Sequence, residues 1–417
     1  WSWANWTKTF IKNGDITIEG IGVVFIVMLI FTMINFWSVK IMTHFTNLIS
    51  IFKILLPTLT IVTLICSGFH EHNFGTNIHE FMPYGSRSIF EATSVSGIIM
   101  SYDAFQTIIN MGGELKNPRK NIVRGVLISM LITAAIYIML QVTFIGAVEP
   151  SMLAKVGWHG IDFTSPFADL AILMGINWLV ILLYLDAFVS PFGTGVAFVA
   201  TASRALAAMT HTCHLPKWLG RINQKYMIPR YAMATDLILA VILVSLFRNW
   251  NLLATVITAS TLIAYLTGPV TVMTLRKIRP DLARPFKPRY MPWLAPIAFV
   301  LTSLAIYWSM WPTTIQVILV IALGLPIYFY YEIRYQHSDL KKQLHNCWWM
   351  IGYLIFMSFM SYIGSNGFGG QNWIKYPFDF VVIIVVSLLF YYWGVKSGRD
   401  QLDPYAEHII QNKNKQK

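Results

Sequence analysis

Residues Gly97-Ile-Ile-Met-Ser-Tyr-Asp-Ala-Phe105 decide the fold, because they place one carboxyl group, Asp103, within a largely apolar stretch. Small and polar residues surround that group throughout 92–112. A continuous helix facing lipid is disfavoured, since an ionisable side chain in hydrocarbon costs roughly 3 kcal/mol or more. A helix interrupted near 101–106, whose freed backbone groups line a polar cavity, accounts for the pattern. The alternative is an unbroken helix packed through small residues.

The composition of the whole chain is that of a membrane protein. Hydrophobic residues make up 56% of the chain, charged residues only 12%, and the mean hydropathy is +0.56. Soluble domains carry about 25% charged residues, so the predicted partner of this surface is a lipid bilayer. The net charge of +12 does not indicate nucleic acid, because the basic residues lie in short loops between apolar runs. The three cysteines lack metal-ligand spacing, and we predict neither metal nor cofactor.

Eleven stretches are long and apolar enough to cross a membrane as helices, counting the weaker, polar stretch 92–112. We predict an all-α integral membrane fold with eleven spans in this fragment. The other ten runs are 20–39, 48–67, 122–148, 178–208, 231–247, 252–275, 291–311, 312–334, 346–365 and 377–395. Pro312 is predicted to form the turn between two neighbouring spans. The chain begins at Trp1 rather than at methionine, and we expect further residues to precede it.

The distribution of lysine and arginine tests this division of the chain. When the loop after the first span is placed in the cytoplasm, 24 of the 31 basic residues fall on cytoplasmic segments and six on the opposite side. Lys53 alone lies within a span. Such asymmetry is the positive-inside rule. The sequence therefore predicts a multi-pass cell-membrane protein with external first residues and a cytoplasmic C-terminus.

Two further spans carry ionisable residues. Lys53 lies about two turns from the predicted cytoplasmic end of its helix, where it either extends to the interface or faces the protein interior. In the interior, burial disfavours its charged form and enables it to release a proton. Asp186, Ser190 and Thr194 recur at every fourth residue and share one helix face. That face either lines an ion or proton path, or Asp186 pairs structurally with another helix.

Several motifs resemble a known family of permeases. Ser-Tyr-Asp-Ala-Phe at 101–105, followed by Gly-Glu-Leu-Lys-Asn-Pro-Arg-Lys at 113–120, resembles the amino acid–polyamine–organocation superfamily. Looser matches resemble its bacterial aspartate–proton symporter branch. They are Asn-Phe-Trp-Ser-Val-Lys at 35–40, Leu-Gln-Val-Thr-Phe-Ile-Gly-Ala at 140–147, Leu-Asp-Ala-Phe-Val-Ser-Pro at 185–191, Trp-Trp-Met-Ile-Gly-Tyr at 348–353 and Ser-Tyr-Ile-Gly-Ser at 361–365.

The resemblance implies a leucine-transporter-like bundle of two inverted five-helix repeats, with extra C-terminal spans. In that register the family's first three spans are expected to precede Trp1. The implied divisions are 1–18, an external segment; 19–91, the remnant of the first repeat, with two spans and an external loop; 92–276, the second repeat, whose first span is broken; 277–395, four additional spans; and 396–417, a cytoplasmic tail.

The resemblance also implies roles for individual residues. Proton-coupled members hold a lysine where sodium-coupled relatives hold a cation, and Lys53 matches that position. The broken helix contacts the substrate in the family, which implies substrate-binding roles for Ser101, Tyr102, Asp103, Ala104 and Phe105. Ser190 and Thr194 match the face directed at the cation position, and we assign Asp186 to proton coupling with Lys53. Ala104 departs from the family's usual glycine and has less backbone freedom.

These residues lead to the hypothesis of a secondary active transporter that moves an acidic amino acid, aspartate or glutamate, together with a proton. One alternative is an exchanger of neutral or cationic amino acids, since an ionised Asp103 in the pocket would repel an acidic substrate. That objection fails if Asp103 is protonated or turned away. A polytopic membrane enzyme is the alternative from another class, although its acidic residues would be expected to cluster.

Overall fold

A computed structural model describes residues 2–398 with gaps at 38, 95–96, 111, 113–114, 116, 212–214, 227, 282–283, 285 and 336–339. Beyond residue 398, the predicted cytoplasmic tail 396–417 lies outside the described residues. The described part is almost wholly helical, and its single sheet is a two-stranded hairpin. The prediction of an all-α membrane fold is confirmed.

The predicted external segment begins with a 3-10 helix, Ser2–Thr9, and the hairpin of β1 (Ile11–Lys12) and β2 (Asp15–Ile16). Asn13 and Gly14 join the strands, both with positive φ (54° and 84°), as a tight right-twisted hairpin requires. The Asn-Gly pair is the sequence signal of such a turn. Asn249, at the end of a distant loop, donates hydrogen bonds to the hairpin at Gly14 and Asp15.

Seventeen α-helices follow within the described residues. They are α1 (Ile18–Trp37), α2 (Val39–Ser67), α3 (Ile78–Phe81), α4 (Gly85–Ser94), α5 (Ile98–Ser101), α6 (Gln106–Asn110), α7 (Pro118–Ala147), α8 (Pro150–Val156), α9 (Pro166–Leu173), α10 (Asn177–His211), α11 (Arg230–Leu246), α12 (Trp250–Ile278), α13 (Met291–Tyr307), α14 (Thr313–Ala322), α15 (Leu325–Tyr335), α16 (Leu340–Ile363) and α17 (Phe378–Lys396). Short 3-10 helices lie at Glu71–Phe74, Asp103–Phe105, Trp158–Gly160, Lys217–Gly220 and Asn366–Phe368.

Each predicted span coincides with helical structure, but three differ in form. The span at 48–67 extends back to Val39 as one long helix. The span at 312–334 is divided between α14 and α15 at Gly324, where Pro326 occupies the first turn of the new helix. The third, 92–112, is described below. Seven stretches among the described residues are long and apolar enough to cross a membrane, and α13 is shorter. The count of eleven spans stays a prediction.

Two groups of helices form the main cores. Helices α12, α13, α14, α16 and α17, which we call the C-terminal module, enclose the larger core, with Phe299 at its centre against the rings of Trp349, Tyr353 and Tyr391. The second core joins α2, α7, α9 and α10. The α10 helix is unbroken despite Pro191 within it. The stretch 92–112 contacts both groups of helices, since α5 contacts α12 and α6 contacts α7 and α10.

Candidate functional site

The stretch 92–112 is an interrupted helix, as predicted from its polar residues. α4 reaches Ser94, α5 covers only Ile98–Ser101, the chain turns at Tyr102, and a 3-10 turn spans Asp103–Phe105 before α6. The two ends contact different neighbours: α4 packs against α12 and α13, and α6 against α7 and α10. An interruption at membrane depth leaves backbone groups free to meet a ligand or water.

Asp103 is buried and faces α12. Tyr265 donates a 2.6 Å hydrogen bond to Asp103 Oδ1 and also lies 3.2 Å from its backbone oxygen, while Thr261 donates to Oδ2 at 3.0 Å. Both carboxyl oxygens therefore have partners on one helix. A direct contact between Asp103 and substrate stays a prediction.

A cavity of about 130 Å³ opens beside the interruption, between it and α7. Its lining includes the predicted residues Ser101, Tyr102 and Phe105, and it excludes Asp103. The full lining is Ser101, Tyr102, Phe105, Ile108, Ser129, Met130 and Thr133. The Tyr102 ring lies edge-on to that of Tyr137, with centroids 5.5 Å apart. The side chain of Ala104 lies outside the described part of the chain.

Lys53 points across to α10 rather than along its own helix to the interface. Its Nζ donates a short hydrogen bond to Thr194 Oγ1. Thr194 in turn donates to the Ser190 carbonyl at 3.0 Å, and the Ser190 hydroxyl donates to Asp186 Oδ1 at 2.5 Å. The charge of Asp186 also acts on Lys53. The structure thus brings Lys53 and Asp186, predicted for proton coupling, together with Ser190 and Thr194, predicted for the cation-site face, into one series of polar contacts between α2 and α10.

Glycines on α10 permit this close approach. A Cβ atom added at Gly193 would lie 2.7 Å from the Ile49 side chain on α2, and one added at Gly195 would lie 2.3 Å from Phe31 on α1. Both separations are too short for real atoms. The two glycines follow Pro191 in a helix that has no break.

Comparison with known proteins gives the family. A family model described as amino acid permease matches residues 3–318. The glutamate/serine transporter AimA of Bacillus subtilis is 46% identical over 398 residues, which cover 95% of this chain and 74% of that protein. The aspartate-proton symporter of the same organism is 34% identical over 93% of this chain and 75% of its own length. This chain is an amino acid permease of the amino acid–polyamine–organocation superfamily.

The permease is accordingly a multi-pass membrane protein and an amino acid transporter. The branched-chain amino acid permease BcaP of Bacillus subtilis is a more distant relative, 24% identical over 76% of this chain and 65% of its own length. These relatives are named as transporters or permeases, so the membrane-enzyme alternative is set aside.

Sequence reasoning missed several polar residues of the permease. Thr261 and Tyr265, which hold Asp103, stand one helical turn apart in an apolar span, as do Ser129 and Thr133 at the cavity. Hydroxyl pairs spaced by four residues in such spans were the available signal. Asp236 was also missed: it lies at membrane depth on the face of α11 that carries the buried Ala232 and Met233.

Proposed function

We propose that the permease carries an acidic amino acid, aspartate or glutamate, together with a proton across the cell membrane, and that Lys53 is the residue that binds and releases the proton. The contact between Lys53 and Thr194 carries this proposal. A lysine held at membrane depth by one neutral hydroxyl is far less compensated than one in a full ion pair. Its charge therefore responds readily to a change in its surroundings.

The coupling follows from the contacts of the ammonium group. In its charged form, Lys53 donates to Thr194 and holds α2 against α10. When the passage closes around the amine, the loss of water disfavours its charged form, so Lys53 passes its proton to water on the side that is opening and the neutral amine holds α10 less strongly. Reprotonation restores the contact. Asp186 lies at the far end of these polar contacts, where its Oδ1 accepts from the Ser190 hydroxyl.

The substrate class rests on the relatives and on the position of Asp103. One relative is named as a glutamate/serine transporter and the other as an aspartate-proton symporter. Asp103 is engaged by Thr261 and Tyr265, which leaves room in the site for a second carboxylate. The proposed orientation, with a cytoplasmic C-terminus, follows the basic residues of the loops.

Uptake of radiolabelled aspartate and glutamate into proteoliposomes tests the proposal. One proton per amino acid gives a limiting accumulation of about tenfold per pH unit of inward proton gradient, since 1.4 kcal/mol corresponds to tenfold. Lys53→Ala is expected to retain exchange but to lose accumulation against the gradient. Lys12→Ala, in the exposed hairpin, is the matched control and should accumulate like the unmodified protein.

Two results would contradict the proposal. Unchanged proton-driven accumulation by Lys53→Ala would remove the role of this lysine. Counterflow that proceeds equally with and without a pH gradient in the unmodified protein would instead support the exchanger. A competition panel of acidic, neutral and cationic amino acids then assigns the substrate class.

A further inference from the structure

The segment between α16 and α17 contains a glycine-rich turn, Gly364-Ser-Asn-Gly-Phe-Gly-Gly370, which we call the glycine turn. Its backbone is folded too closely for side chains at two of its glycines. A Cβ added at Gly369 would lie 2.4 Å from the Trp311 carbonyl oxygen, and one at Gly370 would lie 2.4 Å from that of Gly364. Phe368 is fully buried within it. The glycine turn is thus a fixed part of the C-terminal module.

The first half of the interrupted helix, α4, lies directly on this turn. The guanidinium of Arg87 covers Gly367 so closely that an added Cβ would fall 1.7 Å from Arg87 Cζ. One residue earlier, the Ser86 hydroxyl lies 2.9 Å from the hydroxyl of Tyr376. One turn later, Phe90 stacks on Trp308 with centroids 4.8 Å apart. Three points of contact therefore join α4 to the C-terminal module.

The helix α4 also contacts α12 and α13. Four of its nine residues with described burial are exposed, in contrast to the mostly buried turn beneath it. Glycines with positive φ stand at both ends, Gly85 at 72° and Gly97 at 79°, and nothing lies within 4 Å of a Cβ built on either. Glycine can absorb large backbone changes at such points. We call α4 the arm, and we call Gly85 and Gly97 its hinges.

We propose that the glycine turn is the docking site for α4, and that Arg87 is the positioning residue that keeps the arm docked while the passage is closed on that side. The proposal rests on the transport function proposed above. Arg87 is itself oriented by a 2.8 Å bond from its Nε to Glu91. The extra C-terminal spans thus act on the substrate site through α4, although they contribute none of the predicted site residues.

Matched substitutions on the two sides of the contact test the proposal. Gly367 has an ordinary backbone conformation, and the three heavy atoms nearest an added Cβ all belong to the Arg87 guanidinium. Gly367→Ala should therefore displace the Arg87 side chain and have the same effect on transport as Arg87→Ala. The variant that carries both substitutions should show no larger effect than either one alone. The effect of Arg87→Lys on transport should be smaller than that of Arg87→Ala. Gly268→Ala is the control, because a Cβ added at Gly268 meets nothing within 4 Å.

Two measurements separate docking from a general loss of structure. Loss of one partly exposed charged contact corresponds to roughly a fivefold shift towards the undocked arm. Both the KM for uptake from the side of α4 and kcat should then fall by up to about fivefold, whereas misfolding would lower kcat alone. Hydrogen–deuterium exchange should rise in peptides covering 86–94 and stay unchanged in those covering 313–322.

The outcomes also separate this proposal from the transport function. Unchanged exchange and unchanged KM in both Gly367→Ala and Arg87→Ala would overturn the docking site, as would additive effects in the double variant. If the unmodified protein showed no proton-driven uptake, the proposed function would fail. The exchange experiment on 86–94 would still decide whether Arg87 and the glycine turn hold the arm.

Discussion

The hydrogen bonds between Asp103 and α12 make a quantitative prediction for Tyr265→Phe. The substitution keeps the ring and removes only the hydroxyl that donates at 2.6 Å to the Asp103 carboxyl group. A short hydrogen bond to a carboxylate contributes about 2 kcal/mol net, and more is lost when a buried acceptor is left without a partner. We expect Tyr265→Phe to lower the free energy of unfolding by about 2 kcal/mol, and Thr261→Val, at 3.0 Å, by about 1.5 kcal/mol.

Detergent-induced unfolding followed by tryptophan fluorescence measures these differences. Tyr184→Phe on α10 is the matched control, because Tyr184 is 47% exposed and makes no hydrogen bond within the described residues. It should change the free energy of unfolding by less than about 0.5 kcal/mol. Asp103→Asn should not add its full effect to Tyr265→Phe, since both variants weaken the same bond.

Transport measurements on the same variants distinguish an anchor from a substrate ligand. If Asp103 is an anchor, Asp103→Asn and Tyr265→Phe should both reduce the turnover of transport. Neither should change the order in which competing amino acids inhibit uptake. A direct ligand of the substrate would instead make Asp103→Asn alone raise KM strongly and alter that order. This second pattern, or a stability change below about 0.5 kcal/mol in Tyr265→Phe, would refute the role inferred from the contacts.

Three further predictions concern other contacts. Thr194→Val removes the acceptor of Lys53 and should reduce proton-driven accumulation less than Lys53→Ala does, as measured in the same proteoliposomes. Asp379→Asn, at a fully buried carboxyl group bonded to Tyr307 at 2.7 Å, should lower the free energy of unfolding by about 2 kcal/mol without changing the accumulation ratio. Hydrogen bonds from the N–H and hydroxyl of Thr76 lower the pKa of Glu80 below its ordinary value of 4.5, so its stabilisation is present above that pH and is lost as the pH falls through the lower folded value. Hydrogen exchange of 76–82 should show this loss at low pH, and Glu80→Gln should abolish it.

The apolar runs were sufficient to locate the long helices, because length and hydropathy set the position of a membrane span. α7 begins at Pro118 and α17 ends at Lys396, each within four residues of the predicted limits. Shorter elements were not predicted. The hairpin at 11–16 and the helices α8 and α9 lie in segments that contain no apolar run of membrane-spanning length. Only local turn and helix signals mark them, and these signals are weak. The division at Gly324 could have been predicted from the Gly-Leu-Pro sequence.

The residues of the candidate site could be named from the sequence, but the partners of their side chains could not. The spacing of Asp186, Ser190 and Thr194 defined one face, and that face does carry a continuous polar chain. That Lys53 would be the group to meet it depended on how α2 packs on α10, which no local pattern records. Likewise, the polarity of Asp103 indicated an interruption, but its attachment to Tyr265 depends on a helix about 160 residues further along the chain.

The buried and half-buried polar groups differ in how firmly they are held, and this difference separates fixed contacts from those that can change. Asp379 and Tyr307 are fully buried and bonded to each other and to backbone N–H groups. Breaking such a link leaves several buried groups without partners, at about 1–3 kcal/mol each. Lys53, by contrast, is only partly buried and has a single donated bond to Thr194. We expect this link to require less free energy to release than the fixed ones, in keeping with the role proposed for Lys53 in proton coupling. Asp103, buried with bonds to both Thr261 and Tyr265, belongs with the fixed links, which is the physical reason for assigning anchoring to Asp103 and coupling to Lys53.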